Sequence, residues 1–126
     1  MALRDDICSA MENYALTSTS DWNVIKADDL KKGLDSGKKL FLLDVREPSE
    51  FREGHISRAV NISVNELPRR VGELPQEKGL KMVVYCATGR RSAYAAMFLR
   101  VYGYGDVRSL AKGYKGWAGA GYPAVR

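Results

Sequence analysis

The sequence predicts an α/β domain built on a largely parallel sheet. Three observations carry that expectation. Leu40-Phe41-Leu42-Leu43 and Met82-Val83-Val84-Tyr85 are continuous apolar runs, the pattern of strands covered on both faces. Helical stretches with their own start and stop signals separate the strand-like runs. Strand and helix alternate along most of the chain, the order that produces parallel strands joined by crossover helices.

The elements follow from the N-terminus. Residues 4–15 read as a short helix and Thr17-Ser18-Thr19-Ser20-Asp21 as a polar break. Val24 and Ile25 read as a short strand, and 28–34 as a helix closed by Ser36-Gly37. The first apolar run is followed at once by Asp44. Pro48 suits the first turn of a short helix, which Gly54 stops. Residues 59–62 give another short strand. Leu67, Val71 and Leu74 fall at helical spacing, with Ser63 and Glu66 spaced as a capping box, although Pro68 shortens or restarts that helix. The second apolar run ends at Cys86. Residues 92–102 carry Ala, Met, Phe and Leu on nearly every side and predict a central, well-buried helix, ended by Gly103 and Gly105. Val107 seeds a last strand and 114–120 a last short helix. The chain divides into an N-terminal extension, 1–21, and one domain, 22–126.

Composition narrows the function classes. A length of 126 residues suits one domain, and 45% hydrophobic residues suffice for a true core. No stretch approaches the roughly 18 apolar residues of a membrane span. Residues 1–13 are charged and lack an apolar signal core, so a soluble, cytoplasmic chain is expected. An exported chain whose leader had been removed would read the same way. The net charge of +5 raises the local concentration of anions. Its basic residues are spread along the chain, with no basic tail and no zinc-finger spacing, which favours a small anionic substrate over nucleic acid. Two cysteines, Cys8 and Cys86, make no disulfide framework. One histidine and no CxxC pair leave no ligand set for a metal, and no cofactor is expected.

The chemistry is concentrated in Cys86-Ala87-Thr88-Gly89-Arg90-Arg91-Ser92, between a buried strand and a helix. In open α/β sheets ligands bind at the carboxyl ends of strands. A helix beginning there presents unpaired N–H groups and partial positive charge. Gly89 allows a tight turn with φ above zero, so that the loop amides converge as an anion nest. A helix N-terminus and neighbouring arginines both favour the thiolate of Cys86, which is the nucleophilic form. Arg90 and Arg91 supply permanent charge for a sulfur or phosphorus oxyanion. A cysteine that follows an apolar strand is often only core filling. A core filler, however, has no need of a basic loop containing glycine.

Residues 26–125 resemble a rhodanese-like domain. Leu43-Asp44-Val45-Arg46-Glu47, with Glu50-Phe51 and Gly54-His55-Ile56, is similar to the family's first signature. Cys86 through Ser92 resembles its active loop, in the form Cys-x-x-Gly-x-Arg-Ser. Gly113, Trp117, Gly121 and Pro123 resemble its closing segment. Ser57-Arg58 departs from the usual Pro-Gly at a turn. The resemblance implies a three-layer domain with a five-stranded, mainly parallel sheet flanked by helices. It also implies a sulfurtransferase. Cys86 would take sulfane sulfur from thiosulfate or a similar small anionic donor as a persulfide, with Ala87, Thr88, Gly89, Arg90, Arg91 and Ser92 binding the substrate. A thiol, cyanide or a protein acceptor would then receive the sulfur. The loop from Cys86 to Arg91 has six residues, as in sulfur-transferring members; the related phosphatases use a loop one residue longer. A phosphatase or arsenate reductase is therefore the lesser alternative, and a sulfur carrier or partner-binding module without turnover the main one.

Other residues draw weaker expectations. Asp44 and Arg46, at the end of a strand, are candidates to line the pocket, with a structural ion pair the favoured role. His55 is expected to fix a turn rather than to catalyse. Tyr114 and Trp117 are expected to cover the core. Cys8, outside the resemblance, is either a resolving thiol or a bystander, the latter favoured by its place near a terminus.

Overall fold

The structure is a computed structural model that describes residues 2–17 and 22–126. Its elements are α1 (Ala2–Thr17), β1 (Val24–Ile25), α2 (Ala27–Asp35), β2 (Phe41–Asp44), α3 (Pro48–Glu53), β3 (Val60–Asn61), β4 (Met82–Tyr85), α4 (Arg90–Tyr102), β5 (Val107–Leu110) and α5 (Gly113–Gly119). The five strands form one sheet in the order β1-β5-β4-β2-β3, and every pairing is parallel. The predicted α/β architecture is therefore found, with β4 at its centre. Residues 18–21, most of the expected polar break, lie outside the described residues.

The two apolar runs form β2 and β4, and both face core on either side. Alternate residues of β4 divide between two clusters. Met82, Val84 and the adjoining Cys86 pack with Ala95, Ala96 and Leu99 of α4. Val83 and Tyr85 pack with Leu30 of α2 and Trp117 of α5. Strand period two thus assigns one layer of helix to each face. Among the described residues no helix is long and apolar enough to cross a membrane.

Three local expectations are corrected. The helix expected around Leu67, Val71 and Leu74 is two 3-10 turns, Leu67–Arg69 and Val71–Glu73. Pro68 lies in the first of them, and no N–H is available there to continue an α-helix. No side chain caps that turn, so the box expected at Ser63 and Glu66 is absent. A reciprocal cap forms instead at α3, between Glu47 and Glu50. Helix α4 begins two residues early and is less enclosed than its composition suggests. Ser92, Ala95, Ala96 and Leu99 are buried along one stripe, while Tyr94 and Tyr102 are 64% and 52% exposed. Helix α1 packs against α4 from outside.

The turn after α3 shows what Ser57-Arg58 changes. The Ala59 N–H donates to the Ile56 carbonyl at 3.1 Å, and Arg58 holds φ at 73°. That is a type II turn, which suits Pro at its second position and Gly at its third. A side chain in the left-handed region costs about 1–2 kcal/mol, and a proline at a compatible site adds about 0.4–1 kcal/mol by restricting the unfolded chain. The double substitution Ser57→Pro, Arg58→Gly should therefore raise the urea midpoint, corresponding to about 1 kcal/mol or more after the entropic cost of the new glycine. A lowered midpoint would show that the contact of Arg58 with the Leu34 carbonyl matters more.

Candidate active site

The sequence builds the site by ending β4 at Tyr85 and starting α4 at Arg90. Four residues, Cys86 to Gly89, must reverse the chain. Gly89 does so at φ 119°, as the residue preceding α4. This turn folds the loop back over its own first side chain. The Gly89 N–H donates to Cys86 Sγ at 3.0 Å, and the Ser92 hydroxyl lies 3.5 Å from the same sulfur. Ser92 is fully buried. Its oxygen also bonds the Gly89 carbonyl at 3.2 Å and the Ser109 hydroxyl of β5 at 2.8 Å.

These contacts set the state of the sulfur. Burial pushes the Cys86 thiol up. The Ser92 hydroxyl and the backbone N–H groups of Ser92, Gly89 and Thr88 outweigh burial, and the thiol lies below its ordinary range. Cys86 is 1% exposed, so any reagent that reaches its sulfur must enter the loop. Removing the hydroxyl with Ser92→Ala should move the pH midpoint of Cys86 alkylation upward, read by peptide mapping to separate it from exposed Cys8. An unchanged midpoint would assign the effect to the backbone amides alone.

The loop is held from both sides. Underneath, α5 presents its first turn, and the N–H groups of Tyr114 and Lys115 donate to the Cys86 and Ala87 carbonyls at 2.8 and 3.0 Å. Beside it, the Arg91 guanidinium makes two bonds to Glu50 of α3, at 2.8 and 3.1 Å. Those bonds hold the Glu50 carboxyl down at about 2. The depressed value means that the pair is intact above the ordinary carboxylate range and is lost as pH falls through about 2. Arg90 and Thr88 are exposed at the loop's outer edge.

The structure therefore brings Cys86, Thr88, Gly89 and Ser92 around one sulfur and keeps Arg91 beside them. It sets Asp44 and Arg46 apart. These two form a buried ion pair, with Arg46 donating to both carboxylate oxygens of Asp44 and to the Gly54 carbonyl. Neither offers surface to a ligand, at 0% and 4% exposure. Burial pulls the Arg46 pKa down, but the bonds and charge of Asp44 outweigh it and leave the group raised. His55 stacks on Phe51 and pairs through Nδ1 with the Phe51 carbonyl. Tyr114 and Trp117 pack into the core on the α2/α5 face.

Three contributors escaped the sequence reading as members of the site: Glu50, Ser109 and Gly113. Glu50 stands three residues after Glu47 at capping distance, but nothing local points to a partner 41 residues away. Ser109 lies in β5 beside Arg108, where a hydroxyl gives no local hint of its partner. Gly113 opens α5 directly after Lys112, and a Cβ on it would come 2.6 Å from backbone atoms of Cys86 and Ala87.

Comparison with known proteins agrees with this geometry. A family model described as a rhodanese-like domain matches residues 26–120. A sulfurtransferase of Allochromatium vinosum is 34% identical over 82% of this chain and 94% of its own length. The crystal structure of a rhodanese-related protein from Thermoplasma volcanium is 35% identical over 82% of this chain and 98% of that one, with a TM-score of 0.74. A human single-domain sulfurtransferase is 28% identical over 77% of this chain and 96% of that one, with a TM-score of 0.71. Sulfur transfer is the general activity these relatives support. With a buried cysteine in a loop of converging amides, on an all-parallel sheet that superimposes on such structures, this chain belongs to the rhodanese-like domain family.

Proposed function

We propose that this protein moves single sulfur atoms from thiosulfate, or a similar small anionic donor, to a thiol or cyanide acceptor through a persulfide on Cys86. One observation carries the reading: Sγ accepts the Gly89 N–H at 3.0 Å inside a loop only six residues long. A ring that small suits one additional sulfur atom, and its inward amides favour a sulfur anion.

The thiolate of Cys86 attacks the outer sulfur of thiosulfate. The S–S bond of the donor breaks, sulfite leaves with the electron pair, and Cys86 keeps the sulfur as a persulfide anion. The Thr88, Gly89 and Ser92 amides and the Ser92 hydroxyl stabilise the anionic sulfur before and after transfer. Arg91, fixed by Glu50, contributes positive charge beside the ring without having to order itself when the donor arrives. An acceptor thiolate then attacks the outer persulfide sulfur and returns Cys86 to the thiolate. The two half-reactions predict ping-pong kinetics.

Intact mass spectrometry tests the proposal. After incubation with thiosulfate the protein should gain about 32 Da, one sulfur, reversible by a thiol. The Cys86→Ser variant should gain nothing, whereas a Cys8→Ser variant should load normally. No gain on the wild type, or an equal gain on Cys86→Ser, would overturn the assignment.

A further inference from the structure

A second opening lies next to the segment that packs against Gly89 of the Cys86 loop. Between the start of α2 and α5 runs a cleft of about 440 Å³, lined by Lys26, Ala27 and Asp28 on one side and Ala111, Lys112 and Gly116 on the other. Lys112 belongs to both places. Its backbone N lies 4.0 Å from where a Cβ on Gly89 would stand, and its side chain faces the cleft over Gly116.

Two local features are matched there. Lys112 holds φ at 63°, a backbone state that disfavours every residue except glycine. Four residues on, inside α5, stands a glycine, which weakens a helix. A Cβ on Gly116 would come 2.5 Å from the Lys112 Cβ, so the glycine is what leaves room for the lysine stem. Glycine would serve the turn better at 112, and alanine would serve the helix better at 116. Their actual placement sets an ammonium group at the cleft. Strain kept where it displays a charged group, next to a reactive centre, is a mark of function.

The cleft's charge is suited to an anion. Lys26 and Lys112 are both exposed, and among the described residues neither has an ion-pair partner. The one acid on the wall, Asp28, accepts a hydrogen bond from the Tyr122 hydroxyl. The floor of Ala27, Ala111 and Gly116 is small and apolar, leaving width for an aliphatic or peptide stem.

We propose that this cleft binds the carboxylate of a small thiol that accepts sulfur from Cys86, with Lys112 as its principal contact and Lys26 as the second. The inference rests on the persulfide reading above and deepens it by naming the acceptor class. In the step itself the acceptor thiolate attacks the outer sulfur of the Cys86 persulfide. The new S–S bond forms on the acceptor, the old one breaks, and its electron pair returns to Cys86 as thiolate. No oxidant or reductant is needed.

N-acetylcysteine and its carboxamide are the probes, since they differ only in the carboxylate. Heteronuclear NMR titration of the full chain with N-acetylcysteine should shift the amides of Ala27, Ala111, Lys112 and Gly116, and the carboxamide should shift them less. Discharge of sulfur-loaded protein should then be timed with each probe. The rate ratio, acid over amide, should fall about three- to five-fold in Lys112→Gly, the scale of one exposed charge contact. It should recover in Lys112→Arg. Lys112→Gly should also unfold at higher urea, because the strained φ is relieved. A merely structural lysine would leave the rate ratio unmoved. Absence of shifts at the cleft, or an unchanged ratio in Lys112→Gly, overturns the proposal. Failure of the wild type to load sulfur instead removes the persulfide reading, and the titration still decides whether the cleft takes a carboxylate.

Discussion

Gly113→Ala is expected to destabilise the protein by roughly 2–5 kcal/mol and to abolish sulfur loading of Cys86. The new Cβ would lie 2.6 Å from the carbonyl oxygens of Cys86 and Ala87, and those are backbone atoms that cannot rotate aside. Gly113 also holds φ at 56°, where alanine is strained in any surroundings. Relief requires α5 to back away. That would break the Tyr114 and Lys115 hydrogen bonds that tether the base of the loop. Stability falls because a packed contact is forced apart, and activity falls because the amide ring loses its support. Urea unfolding and intact-mass loading report the two effects separately. A variant that unfolds near the wild-type midpoint and still loads sulfur would show that α5 is not the floor of the site.

Arg46→Leu should cost about 3–5 kcal/mol, the range for a buried ion pair that loses one partner. Asp44 is wholly buried, and Arg46 supplies the cation that faces it. The guanidinium is further held over the Tyr114 ring, 4.3 Å from its centroid, and bonds the Gly54 carbonyl at 2.7 Å. Leucine fills much of the volume but leaves a carboxylate without its counter-charge. Adding Asp44→Asn to Arg46→Leu removes the stranded charge and should recover part of the loss. If the double variant is no better than the single one, the cost comes from the lost packing and the unbonded Gly54 carbonyl instead. Equilibrium denaturation of the three variants distinguishes these causes.

What the sequence made legible follows from how locally each feature is encoded. Strands β2 and β4 are visible because four consecutive apolar residues have little alternative to burial on both faces. The candidate loop is visible because it is continuous: the cysteine, the left-handed glycine and the serine that bonds the sulfur all occur within seven residues. Glu50 was not visible as a partner of Arg91, because their meeting depends on how α3 packs beside α4. The 3-10 turns at Leu67 and Val71 mimic helical spacing, and Pro68 was the residue that argued otherwise. The openness of α4 at Tyr94 was hidden for a different reason. Apolar composition gives a helix's capacity for contact, and only the assembled layers decide which sides are used.

The strand order has a consequence for concentrated solutions. Both outer strands, β1 and β3, are only two residues long. A sheet margin recruits a neighbouring chain by offering a row of unpaired amides and carbonyls, and two residues offer almost none. The longer inner strands pair with these short ones over two residues only, Leu43 and Asp44 of β2 and Ser109 and Leu110 of β5. The sheet's outermost strands are therefore short margins, which limits strand pairing between copies of the folded molecule.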